Sequence, residues 1–217
     1  MNRSILIIFL FASSTISGCL GGGEEPSDDM MVLPILEDPC LIPSSPTTQS
    51  LTSIEVDGVE REFRLSAPSS EPGTRLPLVI AFHGGTDSQE DFAQQEQFDQ
   101  LGEQEKFVMA YAIAEQDRTA AEGEWFLNTA ATSEEDNDFA EAIVDELSES
   151  YCIDQDRLYA IGYSLGAMFT YEIACQLNHR FAATASFAGT MPVNPESCDI
   201  ASCLLYTSDA ADDRLSV

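Results

Sequence analysis

The chain has 217 residues, enough for one domain, and 44% of them are hydrophobic, which supplies a globular core and argues against a disordered chain. Its 38 acidic against 9 basic residues give a formal charge of −29, and Lys106 is the sole lysine. No basic face can be assembled from that set, which excludes nucleic acid as a partner; the solvated acidic surface suits either a salty medium or an acidic exported proteome.

Residues 1–18 read as a lipoprotein signal peptide. Arg3 precedes an apolar run, Ile5 to Ile16, shorter than a bilayer needs and ending in small residues. Ile16-Ser17-Gly18-Cys19 resembles a bacterial lipobox, which predicts lipidation at Cys19 and export, the lipid being the only attachment to a membrane. The alternative is an ordinary signal peptide with an incidental cysteine. Residues 19–50, Gly-rich and acidic, then spotted with Pro, Ser and Thr, read as a tether. The folded domain is expected over 51–202.

Within it, Ser53 to Val56 and Glu60 to Leu65 flank Asp57-Gly58, the signal of a two-residue hairpin. Leu76 to His83 is a buried-strand pattern that breaks into Gly84-Gly85-Thr86. Ser88 to Glu105 predicts a polar helix with Phe92, Phe98 and Leu101 on its buried face. Phe107 to Ala114 predicts another buried strand, followed by a loop carrying Trp125, which either lines a cleft or belongs to the core. Asn137 or Asp138 caps a helix running to about Ser150, with Phe139, Ile143, Val144 and Leu147 facing inward; Asp136 reads as another cap. Arg157 to Gly162 predicts a strand, Leu165 to Leu177 a helix, and Phe181 to Gly189 a further strand. Strands alternating with helices predict an α/β fold: a mostly parallel sheet with helices on both faces and the hairpin as an antiparallel edge.

Gly162-Tyr163-Ser164-Leu165-Gly166 stands between a predicted strand and a predicted helix, the context in which G-x-S-x-G forms a nucleophile elbow. The sharp turn lifts the Ser164 hydroxyl above the sheet. In such a design the oxyanion formed on attack is held by the Leu165 backbone N–H and by an N–H from the Gly84-Gly85-Thr86 loop, where glycine allows the close approach of substrate. Asp87 and Glu90 read as helix-start charges. A serine also needs a base and an orienting acid, in the chain order Ser, Asp or Glu, His. Only His83 and His179 exist; His83 precedes the serine, and His179 follows the elbow helix, where a surface role is expected.

The stretches Val59-Glu-Arg-Glu-Phe-Arg-Leu, Leu78-Val-Ile-Ala-Phe-His-Gly-Gly, Tyr151-Cys-Ile-Asp, Arg157-Leu-Tyr-Ala-Ile-Gly-Tyr-Ser-Leu-Gly-Ala-Met, Arg180-Phe-Ala-Ala-Thr-Ala and Ala188-Gly-Thr-Met resemble, in that order, the esterases related to polyhydroxybutyrate depolymerase and feruloyl esterase. The resemblance covers about Val56 to Cys198. It implies an α/β-hydrolase fold and exported hydrolysis of carboxylic esters, aromatic and plant-wall-derived or polyester, through a serine acyl-enzyme. No cofactor is expected. Members commonly carry Asn where this chain has Leu165, a position that acts through its backbone.

Cys152 precedes the elbow strand and Cys175 lies late on the elbow helix. A Cys152–Cys175 disulfide is expected, as the resemblance to feruloyl esterases also suggests; the alternative is that each is a small buried hydrophobe. That leaves Cys40 and Cys198 without assigned partners, and the spacings do not suggest a zinc site or any other metal. The resemblance fades after about Ser202, so the sheet is expected to be incomplete at its C-terminal end. Residues 203–217, Cys203-Leu-Leu-Tyr-Thr-Ser-Asp-Ala-Ala-Asp-Asp and onward, resemble a translated sequencing adapter and read as a non-native tail. Besides the serine hydrolase, two other readings fit: a non-catalytic surface lipoprotein binding through the same fold, and an acyltransferase or peptidase on that scaffold.

Overall fold

The computed structural model describes residues 38–85, 97–115, 125–127, 135–190 and 204–208. Asp57 and Gly58 take positive φ (51° and 82°), as a two-residue turn that follows strand twist requires. They join β1 (Thr47–Val56) and β2 (Val59–Ala67), paired antiparallel with Val56 opposite Val59. The remaining strands are β3 (Leu76–Phe82), β4 (Val108–Ala112), β5 (Ile153–Tyr163), β6 (Ala183–Phe187) and β7 (Leu204–Ser208). They stand in the order β1-β2-β4-β3-β5-β6-β7, parallel from β4 onward, with β2 antiparallel to β4. The expected antiparallel edge on a mostly parallel sheet is therefore present.

Three helices complete the described part: α1 (Gln97–Glu105), α2 (Glu135–Ser150) and α3 (Leu165–Gln176). Phe139, Ile143, Val144 and Leu147 of α2 and Phe169 and Ile173 of α3 meet Leu76, Leu78, Ile80 and Phe82 of β3 in one cluster, each at most 2% exposed. On the other side of the sheet Phe98 of α1 packs with Ala81, Met109 and Tyr111. Leu101, expected beside Phe98, is exposed instead: Phe98 and Gly102 share the inner face, with Gly102 close against Phe107, and Leu101 is rotated off it. Phe92 lies outside the described residues.

The fold begins before the expected boundary at Leu51. Ser44 bridges Ser70, and β1 starts at Thr47. Cys40 is bonded to Cys152, with Cα atoms 4.6 Å apart, which overturns the expected Cys152–Cys175 pair. The reason is tertiary. Gly73 N–H donates to the Cys40 carbonyl and Leu76 N–H to that of Cys152, so the 38–41 turn and the start of β5 meet beside the start of β3. Cys175 is itself disulfide-bonded. The tail expected to be non-native contributes β7, whose residues 204–208 pair in parallel with 183–187 of β6. An edge strand offers unpaired N–H and C=O groups, and Leu-Leu-Tyr-Thr-Ser has the composition to pair with them. Among the described residues no helix is long and apolar enough to cross a membrane; Cys19 and its apolar leader lie outside them.

Candidate active site

After β3 the chain crosses to β4 on one side of it and returns to β5 on the other. Such a reversal opens a crevice at the carboxyl ends of the central strands. Phe82 is the Cα partner of Gly162, so the His83-Gly84-Gly85 turn leaves β3 beside the point where Tyr163-Ser164 leaves β5.

Ser164 has φ 53° and ψ −114°, a backbone conformation that a residue with a Cβ adopts only under strain, costing about 1–3 kcal/mol. Packing on both sides enforces it. The Ser164 N–H donates to the Phe187 carbonyl (2.9 Å), and its own carbonyl receives the Met168 N–H (3.1 Å), starting α3. A Cβ on Gly162 would overlap the Gly166 carbonyl, and one on Gly166 would overlap the carbonyls of Phe82 and His83. Both glycines of the motif are thus sites of close backbone approach, and Gly166 sets the elbow directly against the turn. The Ser164 side chain is half-buried and makes no capping bond to α3. The Leu165 N–H begins that helix, where no intrahelical acceptor exists for it.

His83 is 3% exposed, and both ring nitrogens are used. The Ala114 N–H donates to Nε2 (3.1 Å), so Nε2 accepts, and the ring proton sits on Nδ1, which donates to the Gly84 carbonyl (2.7 Å). His83 ties the turn to the end of β4 and is not placed to relay a proton for Ser164. His179 follows the far end of α3, a 12-residue helix about 18 Å long, and its exposed side chain stands 4.0 Å from Glu141. It cannot reach Ser164.

Trp125 belongs to the core rather than to a cleft. It is 3% exposed, stacks on Phe169 (centroids 5.3 Å, planes 15° apart), meets Phe82 edge-on and donates its indole N–H to the His83 carbonyl (2.8 Å). Asp136, expected as a cap, lies inside the first turn of α2 and is 1% exposed. Its Oδ1 accepts from Arg61 (2.9 Å) and its Oδ2 from the Phe126 N–H (2.7 Å), while the Arg61 guanidinium also lies 4.1 Å from the Phe139 ring centre. The sequence reading missed this pair, although a signal was there: Arg61 shares the inward face of β2 with Phe63 and Leu65, and a buried cation demands a buried anion. Asp138 also lies in that first turn. Thr86, Asp87 and Glu90 lie outside the described residues. Among the described residues no cluster of three His, Cys, Asp or Glu side chains could hold a metal ion.

A profile of the family described as esterase PHB depolymerase matches residues 62–209. The chain belongs to this family. The match runs past Ser202, where the resemblance was expected to fade, and takes in β7. The Nocardia uniformis subsp. tsuyamanensis protein NocK, named for an esterase activity, is 31% identical over 160 residues, 70% of this chain and 45% of its own length. The bifunctional acetylxylan esterase/xylanase XynS20E of Neocallimastix patriciarum is 28% identical over 133 residues, 61% of this chain and 18% of its own. The chain therefore spans less than half the length of either relative. Among solved structures, an S-formylglutathione hydrolase from Agrobacterium tumefaciens superposes with TM-score 0.53 at 16% identity, covering 68% of this chain and 62% of that one. A ferulic acid esterase superposes with TM-score 0.52 at 12% identity, covering 64% and 59%. At those identities the likeness is one of fold, the α/β-hydrolase fold.

Proposed function

We propose that the intact protein is an exported carboxylic-ester hydrolase that works through an acyl-enzyme on Ser164. One observation carries the reading: a strained Ser164 at the carboxyl end of β5, with Gly166 seated against the His83-Gly84-Gly85 turn of β3. The Ser164 oxygen attacks the ester carbonyl, and the resulting alkoxide is met by the Leu165 N–H and by amides of the Gly84-Gly85-Thr86 loop. Each such donor contributes about 3–4 kcal/mol to the transition state. The alcohol departs, and water releases the acid. Family membership and the esterase names of both relatives support an ester substrate; the proposal takes it to be aromatic and plant-wall-derived or polyester, with Cys19 supplying a lipid anchor.

The acid and base of the triad are proposed to lie in a part of the protein beyond this chain, which spans less than half the length of either relative. With His83 engaged and His179 out of reach, the chain as it stands is expected to show no meaningful turnover. The test is recovery of the complete reading frame followed by p-nitrophenyl acetate hydrolysis. Activity in the completed protein, lost in Ser164→Ala, is the expected result. Ser164-dependent turnover by the present chain would overturn the missing-base part. A completed frame without a further histidine would favour the second reading, a binding module on the same fold, since neither described histidine is placed to serve Ser164.

A further inference from the structure

Segments far apart in sequence converge on the His83 carbonyl. The Trp125 indole donates to it; the backbone beside Trp125 is held in turn by Asp136, through the Phe126 N–H, and Asp136 by Arg61 of β2. A trans peptide is planar, with its N–H directed opposite to its C=O. Holding the His83 carbonyl on the indole therefore aims the Gly84 N–H the other way. Holding the Gly84 carbonyl on His83 Nδ1 does the same for the Gly85 N–H. These are the amides that the oxyanion reading assigns to the turn.

We infer that Trp125 and Asp136 are positioning residues for the oxyanion turn: Trp125 by fixing the His83 carbonyl, and Asp136 by fixing the backbone that presents Trp125. The inference rests on the reading of Ser164 as nucleophile. Packing alone does not account for the arrangement. A phenylalanine would keep the stack on Phe169 and the edge contact with Phe82, but only the indole supplies a donor to the turn. Nor is a buried ion pair needed for stability, since apolar replacements often serve as well. The pair at Arg61 and Asp136 does something an apolar pair would not: it leaves a carboxylate oxygen to receive the Phe126 N–H.

The experiment titrates the completed protein, its acid and base restored, with phenylboronic acid, whose tetrahedral adduct with a serine places a negatively charged oxygen where the oxyanion forms. Adduct formation is followed by boron NMR, the His83 ring by nitrogen NMR, and folding by thermal melting. The expected result is an adduct in the completed protein, lost in Ser164→Ala and weakened at least about tenfold in Trp125→Phe, as misaligned groups cost rate and affinity steeply. Melting of Trp125→Phe should stay within a few degrees of the parent, and its His83 ring should lose the distinct protonated-Nδ1, unprotonated-Nε2 pattern. Asp136→Asn, which keeps an acceptor for Phe126, should bind more tightly than Asp136→Ala. If Asp136→Ala does not fold, Trp125→Phe decides alone. Equal boronate affinity in Trp125→Phe, with Ser164-dependent binding intact, overturns the inference and leaves the hydrolase reading standing. No adduct in the completed protein, or one that survives Ser164→Ala, overturns the hydrolase reading itself.

Discussion

Removing the Cys40–Cys152 crosslink should be the most damaging change available outside the core. The bonded cysteines are 112 residues apart in sequence. In the chain-entropy view, a closed loop of that size restricts the unfolded state by about 4.8 kcal/mol at 25 °C. Total stability for a domain is typically about 5–15 kcal/mol, so the crosslink is a large share of it. For a chain of this length the loss corresponds to a fall in Tm of about 10–20 °C. The assay is melting of the Cys40→Ser/Cys152→Ser double variant against the parent, both without reductant, so that the bond at Cys175 is kept. The double variant is preferred because a lone Cys152 thiol could exchange with that remaining bond. Unreduced peptide mapping should recover Cys40 joined to Cys152. A Tm change under about 3 °C would refute the entropic reasoning, and a Cys152–Cys175 peptide would refute the pairing.

Other outcomes follow from the same geometry. Gly166→Ala should lower Tm by well over 5 °C or prevent folding, because the added methyl overlaps the Phe82 and His83 carbonyls; a stability equal to the parent would show that the elbow does not press on the turn. Tyr111 is 2% exposed and donates to Asp99 Oδ1 (2.8 Å), and burial first, then Asp99, pushes its phenol well above the ordinary range. The folded state therefore keeps a proton that the unfolded state releases above about pH 10, so stability is unaffected below that pH and falls above it. Ultraviolet titration should show a tyrosine signal that appears only on unfolding and is absent from Tyr111→Phe, and that variant should flatten the alkaline loss of Tm. An alkaline slope unchanged in that variant would dissociate Tyr111 from it.

The legible parts of this protein are those dictated by local chemistry. Asp57-Gly58 accepts positive φ at low cost, so the hairpin and its two-residue turn could be placed from two letters. The spacing of Phe139, Ile143, Val144 and Leu147 announced the inner face of α2, and Gly162 and Gly166 around Ser164 announced an elbow because only hydrogen fits where backbones cross. Leu101 was misplaced because helical periodicity identifies a stripe without saying which sheet residues receive it. Partnerships were beyond reach for a physical reason: a hydrogen bond, ion pair or disulfide depends on which distant segments the fold brings within a few ångströms, and residue order carries no such distance. Cys152 met Cys40 across 112 residues, Arg61 met Asp136 across 75, and Trp125 reached back 42 to the His83 carbonyl. Residue types thus announced a serine at a bend and a glycine turn at a strand end, whereas sheet order alone set the two side by side, and tertiary packing decided between cleft and core for Trp125, making it a buried support for the turn.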